Sequence, residues 1–184
     1  MSTVTISVTE AMLMTALRAV LLALIPGAAV IQGYQNRVAM PTGATLVMTS
    51  LSTPPLSMTD EPLSLWAPGS VNPGAVGSTR SEEWVCQLDF FGTGAAESAR
   101  LVNLLVRSIY AADAFAALSP APLAPLYAEP AQQATFINSE NQYEPRWHFD
   151  FHAQYNPVVT TDQDFANELA VKLAEVDTTF PPES

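Results

Sequence analysis

Three side chains that could carry chemistry stand at two-residue spacing in the last third of the sequence: His148, Asp150 and His152. A strand turns alternate side chains to one face, so neighbours in this row would have Cα atoms about 7 Å apart. Adjacent members could bind a metal ion, with the aspartate orienting a histidine. The two histidines would lie about 13 Å apart, too far for both to bind one ion. We therefore predict no metal and no cofactor, and interpret the row as polar side chains that hydrogen-bond with a neighbouring element.

The element that must position this row is the stretch 143–155, in which polar and apolar residues alternate. Such alternation predicts a long antiparallel strand with one aromatic, buried face and one polar face. Pro145 cannot donate to a ladder, so regular pairing on both sides should begin after it. Residues 84–91 alternate in the same way and predict a second half-buried strand. The predicted core anchors on the two strands are Trp147, Phe149, Phe151, Tyr155 and Trp84.

Helices are predicted on one face of the resulting sheet. Ser7 and Glu10 form a capping-box pattern ahead of an apolar run, which predicts a helix through Leu24. Arg18 stands mid-run, no basic segment precedes it, and the run is shorter than the ~20 apolar residues of a membrane span. We interpret it as a core or subunit-interface helix, with a signal peptide or membrane span as the alternative.

A second helix is predicted after Gly92, where Thr93 can provide the N-cap. A third is predicted to open at Asp162 or Asp164. The apolar stripe expected to face the sheet in the second helix is Ala95, Ser98, Leu101, Val102, Leu105 and Ile109. These elements predict an α+β fold with a mostly antiparallel or mixed sheet and helices on one face.

Residues 53–80 interrupt this pattern with five prolines and three glycines. A structureless connection of this length is unusual inside a compact domain. We predict an arm that contacts a neighbouring copy; a floppy loop and a long hairpin interrupted by prolines are the alternatives. Two short strands are predicted before it, at 35–41 and 44–51, and a proline-rich extended connector at 119–130. The chain, residues 1–184, is otherwise interpreted as a single domain.

Charge and composition exclude several classes of function. Seven Lys and Arg stand against eighteen Asp and Glu, giving a net charge of −11, and no basic cluster occurs. This balance argues against sequence-specific nucleic-acid binding, which needs cations to neutralise phosphates. Charged residues make up only 14% of the chain against 48% hydrophobic residues, so we expect self-association. The single cysteine, Cys86, cannot form an intrachain disulfide and is expected to be a buried strand residue.

Motifs of catalysis are also missing from the sequence. It has no G-x-S-x-G elbow, no dinucleotide fingerprint and no P-loop. The carboxylate pairs Asp60-Glu61 and Glu82-Glu83 lie in or beside the proline-rich segment, where we expect them to be solvated. We therefore predict that the protein is not an enzyme. A metal-dependent enzyme using the row of His148, Asp150 and His152 remains an alternative, as does a membrane-associated accessory protein using the first helix.

Several segments resemble a known family. The most specific are N-Q-Y-E-x-R-W at residues 141–147 and Q-Y-N-P at 154–157; NRVAMPTGATLVMTSL, VCQLDFFG and APLYAEP precede them in order. Together they resemble the neck or tail terminator proteins of tailed bacteriophages with contractile tails. The resemblance implies a structural virion protein, made in the host cytoplasm, that forms a ring of six copies at the head-proximal end of the tail. It also implies a lumen for DNA.

The partners implied by this resemblance are other copies of the chain, the tail tube, the sheath protein and a neck or connector protein on the head side, with no membrane. Arg146 is the only permanent cation in the polar row, so it is the residue we expect first in a subunit contact. The full set of predicted interface residues is Asn141, Gln142, Glu144, Arg146, Gln154, Asn156 and Arg37.

Overall fold

The computed structural model describes residues 4–34, 43–64, 74–118, 120, 122–137 and 141–163. Three helices and twelve strands lie in these ranges. The helices are α1 (Glu10–Leu24), α2 (Ala95–Val106) and α3 (Ile109–Ala116). The strands are β1 (Val4–Ile6), β2 (Ala29–Gln32), β3 (Thr45–Ser52), β4 (Leu63–Ser64), β5 (Gly74–Thr79), β6 (Glu82–Phe91), β7 (Ala124–Ala128), β8 (Gln132–Gln133), β9 (Phe136–Ile137), β10 (Tyr143–Glu144), β11 (Arg146–Tyr155) and β12 (Val158–Gln163).

A six-stranded sheet forms the centre of the fold, in the order β2-β3-β6-β11-β7, with β8 also paired to β11. β11 pairs antiparallel with β6 along its whole length, from Arg146 opposite Phe91 to Tyr155 opposite Glu82. β3 is antiparallel to β6 on the other side, whereas β2 and β3 run parallel. The sheet is therefore mixed, and the predicted α+β class is confirmed.

β11 is the long strand that the alternation predicted. Pro145 separates it from β10, and pairing with β6 begins at the next residue, as expected from the missing donor. Phe149, Phe151 and Ala153 are buried on one face, opposite buried residues of β6. Trp147 lies nearer the margin, where it is only partly buried against the core.

The three helices cover this aromatic face and complete the core. Phe115 of α3 stacks on Phe151 at 6.0 Å between ring centroids, and Phe90 stacks on Phe149 at 5.5 Å. The predicted capping box of α1 is wrong. Thr9 is the N-cap and accepts from the backbone N–H of Met12, whereas the Ser7 hydroxyl accepts from the backbone N–H of a strand residue, Val158.

The predicted second helix is two helices, and of its predicted buried stripe Ala95 and Val102 are buried. Gly94, with φ of 82°, precedes α2, which ends at Val106 before α3 starts. A positive φ suits glycine, so the N-cap is Gly94 and not Thr93. The side chains of α2 that face the sheet are small, which lets the helix lie close to it; they are Ala95, Ala99, Val102 and Val106. Leu101 and Ile109, predicted as buried, are exposed.

A second, four-stranded sheet has the order β1-β12-β5-β4. It places residues 74–79 of the predicted arm in strand β5, which pairs antiparallel with β12 from Gly74 opposite Gln163 to Thr79 opposite Val158. Residues 65–73 of that segment lie outside the described residues. β12 includes Asp162, so the last predicted helix does not open there; its remaining residues, 164–176, are also outside the described part. The predicted strand 35–41 also lies outside the described residues. The strand that precedes it in the structure, β2, was not predicted.

Candidate functional site

The polar row predicted from the sequence lies on the face of the central sheet opposite the helices. Because directly paired residues of neighbouring strands share a face, β11 and β6 together build this surface. We call it the polar face. From β11 it comprises Arg146, His148, Asp150, His152 and Gln154, and from β6 it comprises Phe91, Asp89, Gln87, Val85 and Glu83.

An ion pair between a buried aspartate and a partly exposed arginine occupies one end of the polar face. Nε and Nη2 of Arg146 donate to the same carboxylate oxygen, Oδ1 of Asp89, at 2.9 and 2.7 Å. The Asp89 side chain is only 7% exposed and that of Arg146 is 32% exposed. The Arg146 guanidinium also lies over the ring of Phe91, 5.7 Å from its centroid. The cation that we expected to seek a carboxylate on a neighbour therefore has one in its own chain.

A cluster of His152, Glu83 and Tyr127 occupies the other half of the polar face. Nδ1 of His152 lies 2.6 Å from Oε1 of Glu83, and the same oxygen accepts from the hydroxyl of Tyr127 at 3.1 Å. A carboxylate oxygen accepts hydrogen bonds, so the tautomer that fits this contact has its proton on Nδ1. The Tyr127 ring stacks on the imidazole with centroids 4.1 Å apart. Loss of solvent, followed by the hydrogen bond to Glu83, raises the pKa of Tyr127.

This cluster resembles a general base held by a carboxylate, but its free nitrogen is enclosed. Nε2 of His152 is buried and has no hydrogen-bond partner among the described residues; its nearest carboxylate oxygen, on Glu129, is 4.0 Å away. A general base must come within hydrogen-bond reach of the proton that it removes. Nε2 is enclosed in this arrangement, and the contacts of the cluster join β6, β7 and β11.

His148 and Asp150 lie between these two groups. Gln87 donates a weak hydrogen bond to Asp150 at 3.4 Å, so the aspartate is engaged across the strand pair and does not orient a histidine. Within the described ranges, no three His, Cys, Asp or Glu side chains come together in a way that could hold a metal ion. The absence of a bound metal in the purified protein stays a prediction.

Most polar side chains of this face are thus held by contacts within the chain: Arg146 with Asp89, Gln87 with Asp150, His152 with Glu83 and Gln154 with Ser81. This arrangement is typical of a structural protein, and comparison with protein families agrees with it. A family model described as phage neck terminator protein matches residues 11–179. The chain belongs to the phage neck terminator protein family. It is accordingly a structural protein of the virion neck, which joins other neck and tail proteins. A search of curated proteins found no match.

In this neck terminator protein, the residues predicted for an interface divide between the two ends of β11. Asn141, with φ of 57°, turns the chain into the hairpin of β9 and β10, which carries Gln142 and Glu144. At the far end, the Gln154 amide donates to the Ser81 hydroxyl and to the side-chain oxygen of Asn156, both at 3.2 Å. Arg37 lies outside the described residues. The structure therefore brings the predicted residues together as two groups and not as one patch.

The acidic pair Glu82 and Glu83 is the part of the neck terminator site that sequence reasoning missed. These residues were expected to be solvated, and that expectation is wrong because they begin β6. Glu82 is buried on the helix side, where it accepts from Tyr155 and from Arg80. Loss of solvent, followed by this hydrogen bond, raises the pKa of Tyr155 to about 12. Extending the alternation of residues 84–91 back by two positions would have placed Glu82 on the buried face.

Two further features of this neck terminator protein bear on its class. Cys86 is fully buried in β6, and burial raises the pKa of its thiol to about 12, so it is not an activated nucleophile. Among the helices in the described part of the chain, none has the length and apolar character needed to cross a lipid bilayer. α1 instead buries Leu13, Leu17 and Leu21 in the core.

Proposed function

We propose that this protein ends the tail tube and joins it to the head-side connector as a closed ring of six copies. The observation that carries the proposal is the match of the neck terminator family over residues 11–179. The chain acts as a single terminator-like domain, made in the host cytoplasm and incorporated into a contractile-type tail. Its partners are other copies of the chain, the tail tube, the sheath and the connector.

The charge of the chain supports a conduit for DNA. A net charge of −11 gives a subunit that repels phosphate, and a lumen built from such subunits lets DNA pass without holding it. We therefore propose passage of DNA without sequence-specific binding. Purified rings should bind duplex DNA weakly at physiological salt, as measured by fluorescence anisotropy with two unrelated sequences. Tight binding that depends on the sequence would contradict a passive lumen.

Subunit contacts are proposed at the two ends of β11. The hairpin end and the Asn156 end are both exposed, whereas the middle of the polar face is closed by contacts within the chain. Arg146 also donates to Asp89 within the chain. An assembly defect of an Arg146 variant could therefore come from loss of this ion pair or from loss of a subunit contact, and the two causes must be measured separately. The residues proposed for contacts with neighbouring copies or partners are Asn141, Gln142, Glu144, Arg146, Gln154, Asn156 and Arg37.

Deleting the gene tests the proposed function directly. Cells infected by the deletion phage should contain filled heads and tails that are not joined, with tails of abnormal length in electron micrographs. Supplying the wild-type chain from a plasmid should restore joined particles. If the deletion phage made tails of normal length attached to heads, the proposed function would be wrong. Native mass spectrometry and negative-stain images of the purified protein test the ring and its copy number separately.

A further inference from the structure

The outer side of α2 and the start of α3 expose an unusual amount of apolar surface. Leu104 is 78% exposed and Ile109 is 80% exposed, and Leu101 and Tyr110 are also exposed within the same ten residues. Single exposed apolar residues are ordinary, but a group of this kind indicates an interaction surface. We call these four residues, with Arg100 and Arg107, the receiving face.

Two of the chain's few cations lie on this receiving face. Among the described residues, two other arginines form ion pairs: Arg80 with Glu82 and Arg146 with Asp89. Arg100 instead lies over the Trp147 ring, 5.5 Å from its centroid, and Arg107 donates to the backbone carbonyl of Ala128 at 3.3 Å. Both arginines are exposed, so the face combines apolar side chains with positive charge in a strongly acidic protein.

Residues 51–61 have the complementary character, and we call them the docking segment. Met58 is 91% exposed, Leu51 and Leu56 are exposed as well, and the exposed pair Asp60-Glu61 follows them. The segment thus combines apolar side chains with negative charge. Its first two residues end β3, and the rest leaves the central sheet beside the start of β6, whereas α2 follows the end of β6.

The docking segment is held in shape by its own chain. The backbone N–H of Leu56 donates to the carbonyl of Ser81 at 2.8 Å, and Asp60 and Thr79 exchange two backbone hydrogen bonds at 2.7 and 2.8 Å. The Ser57 hydroxyl accepts from the backbone N–H of Ser81 at 2.9 Å. A segment fixed in this way loses little conformational entropy when it binds. Its methionine is adaptable in packing, which suits a contact that must form many times in one assembly.

We propose that the receiving face of one copy binds the docking segment of the next copy, head to tail. Leu56 and Met58 pack against Leu101, Leu104 and Ile109, while Asp60 and Glu61 meet Arg100 and Arg107. A heterologous contact of this kind makes a ring when the rotation closes. The inference rests on the proposed ring and adds its contact surfaces, which gives part of the segment 53–80 a defined partner.

Cysteine cross-linking tests the contact, because the native Cys86 is buried and leaves introduced cysteines as the reactive thiols. Leu101, Leu104 and Ile109 are each changed to Cys in one chain, and Leu56 or Met58 in a second chain carrying a size tag. Particles assembled from equal mixtures are treated with a short bis-maleimide. Chains of different size should become linked in at least one of the six pairings. Val4→Cys, at a residue 65% exposed on β1, is the control and should not link to either chain.

Two results of this experiment would overturn the proposal. One is the absence of mixed dimers in all six pairings in assembled particles. The other is efficient linking of Leu104→Cys chains to one another, which indicates a two-fold contact between receiving faces. A chain carrying Leu104→Cys and Met58→Cys together should give a ladder whose largest product counts the copies in the ring.

Charge reversal separates an interface role of Arg107 from a role in folding. Arg107→Glu should reduce cross-linking and joined particles about tenfold, and adding Glu61→Arg should recover them to within about threefold of wild type. Loss of the hydrogen bond to Ala128 alone could not be repaired by a change on the remote docking segment. Arg18→Glu is the matched control, since Arg18 also donates to a backbone carbonyl, that of Val30 at 3.0 Å.

Failure of rescue, with Arg107→Glu folded as judged by circular dichroism, would contradict the charge pairing. The gene deletion described above separates this inference from the proposed function. If deletion abolishes joined particles while every cross-link fails, the function stands and these surfaces are wrong. If the deletion phage is normal, the proposed function is wrong.

Discussion

Removing the guanidinium of Arg146 should destabilise the subunit itself, before any effect on assembly. Arg146→Ala leaves the buried carboxylate of Asp89 without its two charged donors, which lie 2.9 and 2.7 Å away. Breaking a buried ion pair by removing one partner costs about 3–5 kcal/mol. About a third of the Arg146 side chain is in solvent, which weakens the pair, so we expect a loss of about 2–3 kcal/mol in the free energy of unfolding.

A double-mutant cycle measures the pair without the other effects of each substitution. Urea unfolding followed by tryptophan fluorescence gives the free energies for wild type, Arg146→Ala, Asp89→Ala and the double variant. Because the two side chains touch, we expect the double variant to be more stable than the sum of the single losses predicts, by about 1–3 kcal/mol. Arg146→Lys is the control that keeps the charge but loses the two-pronged donor geometry, and should lose about 1 kcal/mol.

A small loss of stability would instead support the subunit contact that the sequence predicted for Arg146. If Arg146→Ala changed the unfolding free energy by less than about 0.5 kcal/mol and still prevented head–tail joining, the intrachain pair would not explain the defect. The guanidinium would then act on a neighbouring subunit. A destabilised variant that joins heads to tails normally at low temperature would instead show that the contact with Asp89 is its whole role.

Three further predictions follow from burial. Phe151→Ala should lower the free energy of unfolding by about 3–5 kcal/mol, and Trp147→Ala should lower it less, because Trp147 is only partly buried. A lower melting temperature for Trp147→Ala than for Phe151→Ala would contradict this prediction. Cys86 should not react with Ellman's reagent at pH 8 until the protein unfolds, since its pKa is raised to about 12, and fast labelling of the native protein would count against its burial. The pKa of Tyr155 is raised from 10.0 to about 12, so its contribution to stability is complete below pH 10 and is lost as the pH rises towards 12. Urea unfolding should show that Tyr155→Phe flattens this alkaline loss, and an unchanged slope would contradict it.

Local pattern predicted the elements whose burial follows a simple period. The alternation around Phe149 identified β11, and its partner β6 was found in the same way, because residues 84–90 of β6 also alternate with an apolar face. α1 was found from its length of apolar sequence. β5 and β12 were not identified as partners, since they pair across about eighty residues and neither alternates strongly. Short-range pattern carries no information about such pairing.

The helix break and the polar face show two further limits of the sequence. Leu101 and Ile109 have helical spacing, but the smaller residues Ala95 and Ala99 face the sheet because they permit a closer approach. The predicted stripe therefore contained Ala95 and Val102, which are buried, but wrongly added Leu101, which lies on the exposed side of α2. On the polar face, the row of β11 was predicted correctly, whereas its partners depend on the register with β6. That register places Asp89 and Glu83 beside charged or protonatable side chains that are distant in sequence.

The closed polar face and the open helix layer together favour assembly through the helices and the segments at the ends of the sheet. On the polar face, Arg146 forms an ion pair with Asp89 at one end and His152 forms a hydrogen bond with Glu83 at the other. A partner that bound there would have to replace these contacts, at the cost of exposing or stranding a buried carboxylate. A partner that bound the exposed leucines of α2 would only remove apolar surface from water, which is favourable. A contact with a neighbour therefore gains more from the exposed helix layer than from the polar face of the sheet.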